Sequence, residues 1–137
     1  VNATKIRGLS GQVIFTGYGD WAQMHELYSI ADIFVTASLS EVHPMTLIEA
    51  SMCGLPIVAR RDDSYAGLVQ DDYNGYLVES DQELAERLSG ILCDEVRLTE
   101  FSGNGQALSA QFNSETHVER IESLYQQVLK NNKVIPK

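Results

Sequence analysis

Short apolar runs alternate with amphipathic stretches through the first two thirds of the chain. Four runs are rich in β-branched and aromatic residues and predict strands, at residues 13–17, 33–38, 56–59 and 75–79. Between the first two strands, a helical repeat of apolar residues follows Asp20, which can cap a helix. Between the second and third, Pro44 and Gly54 mark the expected start and end of another helix.

The last third of the chain is predicted to be helical. Apolar residues repeat at helical spacing over residues 81–92, weakly over 95–111, and most clearly over a C-terminal helix at 113–130. Asn113 or Ser114 is the expected cap of this last helix.

Strands that alternate with helices predict βαβ units and therefore a parallel sheet. Unbroken apolar strands are typical of a sheet that helices cover on both faces. We therefore expect one domain over residues 1–137 with an α/β, Rossmann-like fold. In open sheets of this kind, ligands bind outside the carboxyl ends of the strands. That edge, called the rim below, should be formed by the loops at residues 17–20, 38–43 and 60–65.

Composition and charge narrow the possible partners. The chain has 137 residues, 44% of them hydrophobic, and a net charge of −9. This acidic balance argues against nucleic acid and against anionic lipid, because both require clustered Lys and Arg. No apolar run reaches the ~20 residues that cross a bilayer, and no signal-peptide pattern opens the chain.

The two cysteines, Cys53 and Cys93, stand far apart and form no CxxC pair. We therefore expect neither a metal site nor a disulfide framework. Reduced thiols favour a cytoplasmic location. The chain begins at Val1 rather than at methionine, and we expect a fragment of a longer protein.

A glutamate lies in a helix that is otherwise apolar. The helix predicted at residues 44–53 should be buried, because it is apolar on nearly every side. Burying the Glu49 carboxylate without a partner would cost roughly several kcal/mol. Helical side chains lean toward the helix N-terminus, so Glu49 can reach back to the rim, where Glu41 lies in the preceding loop. The free N–H groups of the first helical turn favour anions at the same place.

This mixture predicts a pocket for a ligand that carries both hydroxyls and phosphates, such as a nucleotide sugar. Two simpler interpretations stay open at this stage. A backbone N–H or a lysine could satisfy Glu49, and Glu41 could be a solvated loop residue.

The stretch at residues 40–59, SEVHPMTLIEASMCGLPIVA, resembles the donor-site segment of retaining glycosyltransferases with the GT-B fold, the glycosyl transferases group 1 family. The family signature is a glutamate, seven residues, a second glutamate and then Gly-x-Pro, which Glu41, Glu49, Gly54 and Pro56 match. The stretches VIFTG, LYSIADIFVTAS and DDYNGYLV also resemble family segments, so the match covers most of the chain. The resemblance implies the C-terminal half of a GT-B fold that lacks its first βα unit.

The resemblance also implies an activity, namely sugar transfer from a nucleotide-diphosphate sugar, such as a UDP-sugar, with retention of configuration. Neither a cofactor nor a metal is expected. Glu41 is implied as the catalytic residue, near the reacting carbon of the donor sugar, and Glu49 as the group that holds the ribose hydroxyls. The other donor-binding positions implied are Gly17, Tyr18, Gly19, Ser40, Val42, His43, Pro44, Met45 and Thr46.

The chain departs from the family pattern in two respects. Many relatives carry Gly-Phe-Gly where this chain has Val42-His43-Pro44, and Pro44 has no N–H to donate to a phosphate. His43 could contact the sugar or the leaving phosphate, or have no role. In addition, nothing before Val13 resembles the family's basic diphosphate-binding unit, and the N-terminal acceptor domain is missing. We therefore expect the chain alone to be inactive.

Two basic residues, Arg60 and Arg61, follow a predicted strand at the rim. We expect them to be a solvated pair rather than a diphosphate site.

The acceptor, a glycan or a lipid, depends mostly on the missing domain. Residues 40–78 look most like bacterial members that glucosylate diacylglycerol. With a lipid acceptor, contact with the inner face of the membrane would come only from the missing domain. The main alternative is a non-catalytic binding or interaction module on the same scaffold. An acidic receiver domain is disfavoured, because Gly17-Tyr18-Gly19 stands where its acidic cluster would follow the first strand.

Overall fold

The computed structural model describes residues 2–42 and 44–131, and it contains a small parallel sheet surrounded by helices. The strands are β1 (Phe34–Thr36), β2 (Ile57–Arg60) and β3 (Gly75–Val78). The helices are α1 (Asn2–Ile6), α2 (Met24–Ser29), α3 (Met45–Met52), α4 (Asp81–Leu92), α5 (Glu95–Ser109) and α6 (Ser114–Asn131). Short 3₁₀ turns occur at Trp21–Gln23, Asp63–Tyr65 and Ala110–Phe112.

The sheet has the order β1-β2-β3, and both strand pairs are parallel. Helix α3 connects β1 to β2, which is the βαβ unit that the sequence predicts. In the central strand, Val58 pairs with Val35 on one side and with Tyr76 on the other. Because all three carboxyl ends lie at one edge, the loops that follow the strands meet at the predicted rim.

Alternate residues of β2 pack on opposite faces of the sheet. Ile57 and Ala59 join a buried cluster with Leu47 of α3 and with Tyr65, which follows β2. Val58 points the other way, into a cluster with Ile91 of α4 and other residues from β3 and α5. Helices therefore cover both faces, as the unbroken apolar strands predict.

The first predicted strand, at residues 13–17, is absent, so this prediction is wrong. Ile14 is 87% exposed and Phe15 is 56% exposed. A parallel strand needs a hydrogen-bonding neighbour and cover on both faces. Within residues 2–42 and 44–131 this segment has neither, because the sheet ends at β1.

One helical prediction needs a smaller correction. Helix α3 buries Leu47, Ile48, Ala50 and Ser51 but leaves both of its methionines, Met45 and Met52, about half exposed. It is therefore buried on one side rather than all round.

The C-terminal helix α6 begins after Asn113, whose side chain accepts a 2.7 Å hydrogen bond from the Thr116 N–H. Its apolar stripe faces outward, since Leu124 is 54% exposed and Tyr125 is 66% exposed. No helix in the described part of the chain is both long enough and apolar enough to span a membrane.

Candidate functional site

The second glutamate of the signature, Glu49, contacts helix α2 rather than the rim loops. The Tyr28 hydroxyl donates a hydrogen bond to Glu49 Oε2 at 3.0 Å. Tyr28 is only 7% exposed, whereas Glu49 is half-buried. The carboxylate therefore has one oxygen bound to a buried donor, while its partial exposure leaves it accessible from solvent. Neither of the two partners expected for a buried Glu49, a backbone N–H or a lysine, is the group observed.

An open groove runs between helix α3 and the segment formed by the Trp21–Gln23 turn and α2. Its volume is about 480 Å³. The groove is lined by Trp21, Ala22, Met24, His25, Tyr28, Glu49, Met52 and Cys53. Most of this lining is apolar, and Glu49 supplies its one carboxylate among the described residues. Such a groove suits a ligand with a flat apolar part and a few hydroxyls.

The start of this groove is ordered by local capping. The Asp20 side chain accepts a 3.0 Å hydrogen bond from the Ala22 N–H, as its predicted capping role requires. His25 Nδ1 lies 2.9 Å from the Ala22 carbonyl oxygen, so Nδ1 carries the proton in that contact. The turn at Trp21–Gln23 thereby places the indole of Trp21, which is 82% exposed, at the groove.

The first glutamate, Glu41, lies in the loop between β1 and α3, near the loop that follows β2. Its backbone N–H interacts with the Asp62 carboxylate, and its own charge acts on the hydroxyl of Tyr65. Glu41 is exposed and does not line the groove that contains Glu49. The sequence therefore identified two carboxylates near the same helix, but the structure places them in different surroundings.

Tyr65 lies beneath the Glu41 loop and is completely buried. Its hydroxyl has no hydrogen-bond partner within the described residues, although Thr36, Ser38 and Glu41 are near enough to affect its pKa. Burial, followed by the charge of Glu41, raises the pKa of this hydroxyl. The hydroxyl therefore stays protonated under the rim.

The loop residues predicted to bind the donor are placed as follows. Gly17, Tyr18 and Gly19 are exposed, lie outside any helix or strand, and do not line the groove. Ser40 and Val42 are exposed in the loop after β1, and Met45 and Thr46 are exposed at the start of α3. Residues 40–42 and 44–46 thus lie in the loop before α3 and in its first turn, whereas residues 17–19 lie outside the groove that contains Glu49. His43 lies outside the described residues.

Pro44 occupies the position just before α3 and is buried. Its carbonyl oxygen accepts a 3.0 Å hydrogen bond from the Leu47 N–H, and no side chain among the described residues caps the helix. The prediction of a proline at the start of this helix is therefore confirmed to within one residue. The N–H groups of Met45 and Thr46 belong to the uncapped first turn, where an anion would be favoured.

The two arginines at the rim are engaged in ion pairs. Arg60 contacts Asp81 at 2.5 Å and the Glu79 carbonyl at 2.7 Å, while Arg61 pairs with the Glu79 carboxylate. Only 19% of the Arg60 side chain is exposed, so the prediction of a solvated pair is wrong for this residue. Because nearby carboxylates neutralise both guanidinium groups, neither arginine offers an unpaired positive charge to the groove.

Sequence reasoning missed the residues that surround Glu49, above all Tyr28. Tyr28 lies among the apolar residues of α2, where the helical repeat after Asp20 predicts only a core position, and its ring does lie in the core. A buried tyrosine hydroxyl, however, usually requires a polar partner, and Glu49 is the other polar group predicted to be buried nearby.

Among residues 2–42 and 44–131, no three His, Cys, Asp or Glu side chains are grouped as metal ligands.

The fold and these motifs can be compared with known proteins. The sequence profile of the glycosyl transferases group 1 family matches residues 2–108. The chain belongs to this family. One similar group 1 protein is the alpha-monoglucosyldiacylglycerol synthase of Acholeplasma laidlawii, which is 32% identical over 122 residues. The alignment covers 88% of this chain and 31% of that relative, so the chain spans about a third of the length of the curated relatives it matches.

Solved structures of known proteins share the fold. The C-terminal domain of a family protein from Francisella tularensis superposes with a TM-score of 0.73 at 29% identity, over 80% of this chain and 58% of that one. HepE from Anabaena, solved in complex with UDP, superposes with a TM-score of 0.84 at 26% identity, over 92% of this chain and 35% of that one. The parallel sheet and its helices are therefore those of a GT-B glycosyltransferase C-terminal domain.

Proposed function

We propose that this chain is the donor-binding domain of a glycosyltransferase that moves a sugar from a UDP-sugar to a glycan or lipid acceptor, with retention of configuration. The observation that carries the proposal is the half-buried Glu49 carboxylate, which a tyrosine hydroxyl holds in an open, largely apolar groove. Two complexes of HepE, with UDP and with UDP-glucose, support this choice of ligand.

Each glutamate is assigned a separate role. The Glu49 carboxylate accepts hydrogen bonds from the ribose hydroxyls, which bind a charged acceptor strongly because charge-assisted hydrogen bonds are about twice as strong as neutral ones. Glu41 contacts the donor sugar from the loop after β1, and the N–H groups of Met45 and Thr46 face the diphosphate. The absence of a metal requirement stays a prediction.

Within the described part of the chain, the groove has no Lys or Arg that could stabilise the departing diphosphate, and Arg60 and Arg61 are already ion-paired. We propose that a segment outside this chain supplies this charge together with the acceptor site. This observation also favours a second candidate for the isolated chain, a module that binds nucleotide without catalysis.

A glycolipid acceptor is the specific version of the proposal. The A. laidlawii relative is named a synthase of a glucosylated diacylglycerol, and the second curated relative, from Streptococcus pneumoniae, is also named a glycosyldiacylglycerol synthase. With such an acceptor, the protein would work at the inner face of the membrane, and membrane contact would come from outside this acidic chain.

Calorimetric titration of the chain with UDP, GDP and several nucleotide sugars tests the binding role. Replacing Glu49 with alanine should weaken UDP binding by at least about tenfold, because charged hydrogen bonds contribute about 1.5–3 kcal/mol. Glu49→Gln should also weaken binding but keep an oxygen acceptor for Tyr28, so a defect in this variant is not a folding defect.

The matched control is Glu100→Ala, which removes an exposed helical glutamate from α5 and should leave the affinity unchanged. Unchanged UDP affinity in both Glu49 variants would show that the proposed ribose contact does not exist.

A further inference from the structure

Tyr28 is built into the core in a way that fixes its hydroxyl. The residue is 7% exposed and belongs to a buried cluster with Ala50 of α3 and with Leu55. Its ring lies 6.3 Å from the Phe34 ring at a tilt of 49°. Because the ring is packed on several sides, the position of the Tyr28 hydroxyl is fixed. The Glu49 carboxylate must therefore adopt the orientation that reaches this hydroxyl.

The hydrogen bond also joins two elements that carry the groove. Tyr28 lies on α2 and Glu49 on α3, and the bond between them is 3.0 Å long. Burial, with Glu49 as the second cause, raises the pKa of Tyr28 to about 12. The hydroxyl is therefore protonated across the neutral range, where it can only donate its proton to the carboxylate.

A glutamate has three side-chain torsions, and restricting them on binding costs conformational entropy. In this structure the restriction exists before any ligand arrives, since one carboxylate oxygen is already occupied. The remaining hydrogen-bonding capacity of the carboxylate is directed to the groove, whose lining includes Glu49. Such a preorganised acceptor binds a pair of neighbouring hydroxyls more tightly than a free side chain would.

We infer that Tyr28 is a positioning residue that orients the Glu49 carboxylate toward the hydroxyl groups of the bound nucleotide. This inference rests on the proposed function, because it assumes that Glu49 binds the ribose. It goes further by assigning ribose recognition to a pair of residues on two helices, of which only one contacts the ligand.

The test is Tyr28→Phe, which removes the hydroxyl and keeps the ring. Affinity is measured by calorimetry for UDP and for an analogue of UDP whose sugar lacks both ribose hydroxyls. We expect the variant to bind UDP about tenfold more weakly, because a hydrogen bond to a charged group is lost. The analogue should bind the variant and the unmodified chain equally, which a purely structural role would not produce.

The matched control is Tyr76→Phe. Tyr76 is also buried, packs edge-on against Phe101 and has its hydroxyl bonded to a charged group, Arg97, at 2.7 Å. It belongs to the cluster on the other face of the sheet, so its loss should leave UDP affinity unchanged. In the double variant Tyr28→Phe/Glu49→Ala, the loss of affinity should equal that of Glu49→Ala alone.

The outcomes separate the two proposals. If Glu49→Ala weakens UDP binding and Tyr28→Phe does not, the inference about Tyr28 is wrong and the proposed function stands. Equal weakening for UDP and for the analogue would also overturn the inference, because Tyr28 would then act through general packing. If neither variant changes UDP affinity, or the unmodified chain does not bind UDP, the proposed function fails as well.

Discussion

At the scale of single residues, Gly75 of β3 lies directly against the backbone of β2. A Cβ added to this glycine would be 2.1 Å from the carbonyl oxygen of Ile57. The backbone of Gly75 is not in the left-handed region, so the lack of a side chain, rather than conformational freedom, explains why glycine is needed here.

Replacing Gly75 with alanine should therefore destabilise the fold. We expect the free energy of unfolding to fall by about 3 kcal/mol or more, because the methyl group meets a rigid backbone rather than a movable side chain. Chemical denaturation followed by circular dichroism measures this change. Gly90→Ala is the matched control, since this glycine lies within α4 with open space around it. It should raise stability by about 0.5–1 kcal/mol, whereas a Gly75→Ala chain as stable as the unmodified one would contradict the explanation.

At the scale of elements, the loop after β2 contacts the loop after β1 through the Asp62 carboxylate. Asp62 caps the turn at Asp63–Tyr65 by accepting a 2.9 Å hydrogen bond from the Ser64 N–H. The Ser64 hydroxyl also donates to this carboxylate at 2.5 Å, and the Glu41 N–H interacts with it. One half-buried carboxylate thus links a cap to the loop that carries Glu41.

These contacts lower the pKa of Asp62 from its ordinary value of 3.8, with the Ser64 hydroxyl as the largest cause and the Ser64 N–H as the second. A lowered pKa in the folded state means that the carboxylate contributes stability above 3.8, and that this contribution is lost as the pH falls through the lowered value. We predict that a carbon-detected NMR titration of the Asp62 carboxyl will give a pKa below 3.8.

The same titration in Ser64→Ala provides the control. Because this substitution removes the largest cause, the pKa of Asp62 should move up toward its ordinary value. An Asp62 pKa that is unaffected by the loss of the Ser64 hydroxyl would rule out the proposed linkage of cap and loop.

At the scale of the whole molecule, charge limits what the chain can do alone. The net charge is −9, and among the described cations Arg60, Arg61, Arg87 and Arg97 are paired with carboxylates. A diphosphate leaving group adds further negative charge, which needs fixed positive partners to be stabilised.

We predict that the purified chain, free of any full-length enzyme, does not transfer sugar from a UDP-sugar to an acceptor, although it binds UDP. Release of UDP in the presence of glycan or diacylglycerol acceptors measures the activity. The control is the Glu49→Ala chain prepared in the same way. A contaminating enzyme would give the same activity in both preparations, because this substitution does not affect it. Turnover by the unmodified chain that is lost in Glu49→Ala would refute the prediction.

Some helices and strands could be predicted from the sequence because local patterns specify them. The strands β1, β2 and β3 and the helices α4 and α6 follow from local periodicity and capping, which each segment carries in itself. The segment at residues 13–17 has the same local pattern as the true strands but no neighbour to pair with within the described residues. Strand formation depends on that neighbour, and a local pattern does not contain it.

The sequence by itself determined the fold class, the family and the two glutamates, because apolar periodicity and the spacing of Glu41, Glu49 and Gly54 are properties of the chain order. Only the tertiary structure decided what each glutamate contacts. Packing of α2 against α3 brings the Tyr28 hydroxyl to Glu49, and the crossing from β1 to β2 brings Glu41 to Asp62. These residues are about twenty positions apart, so their contacts depend on how the helices and loops pack around the sheet.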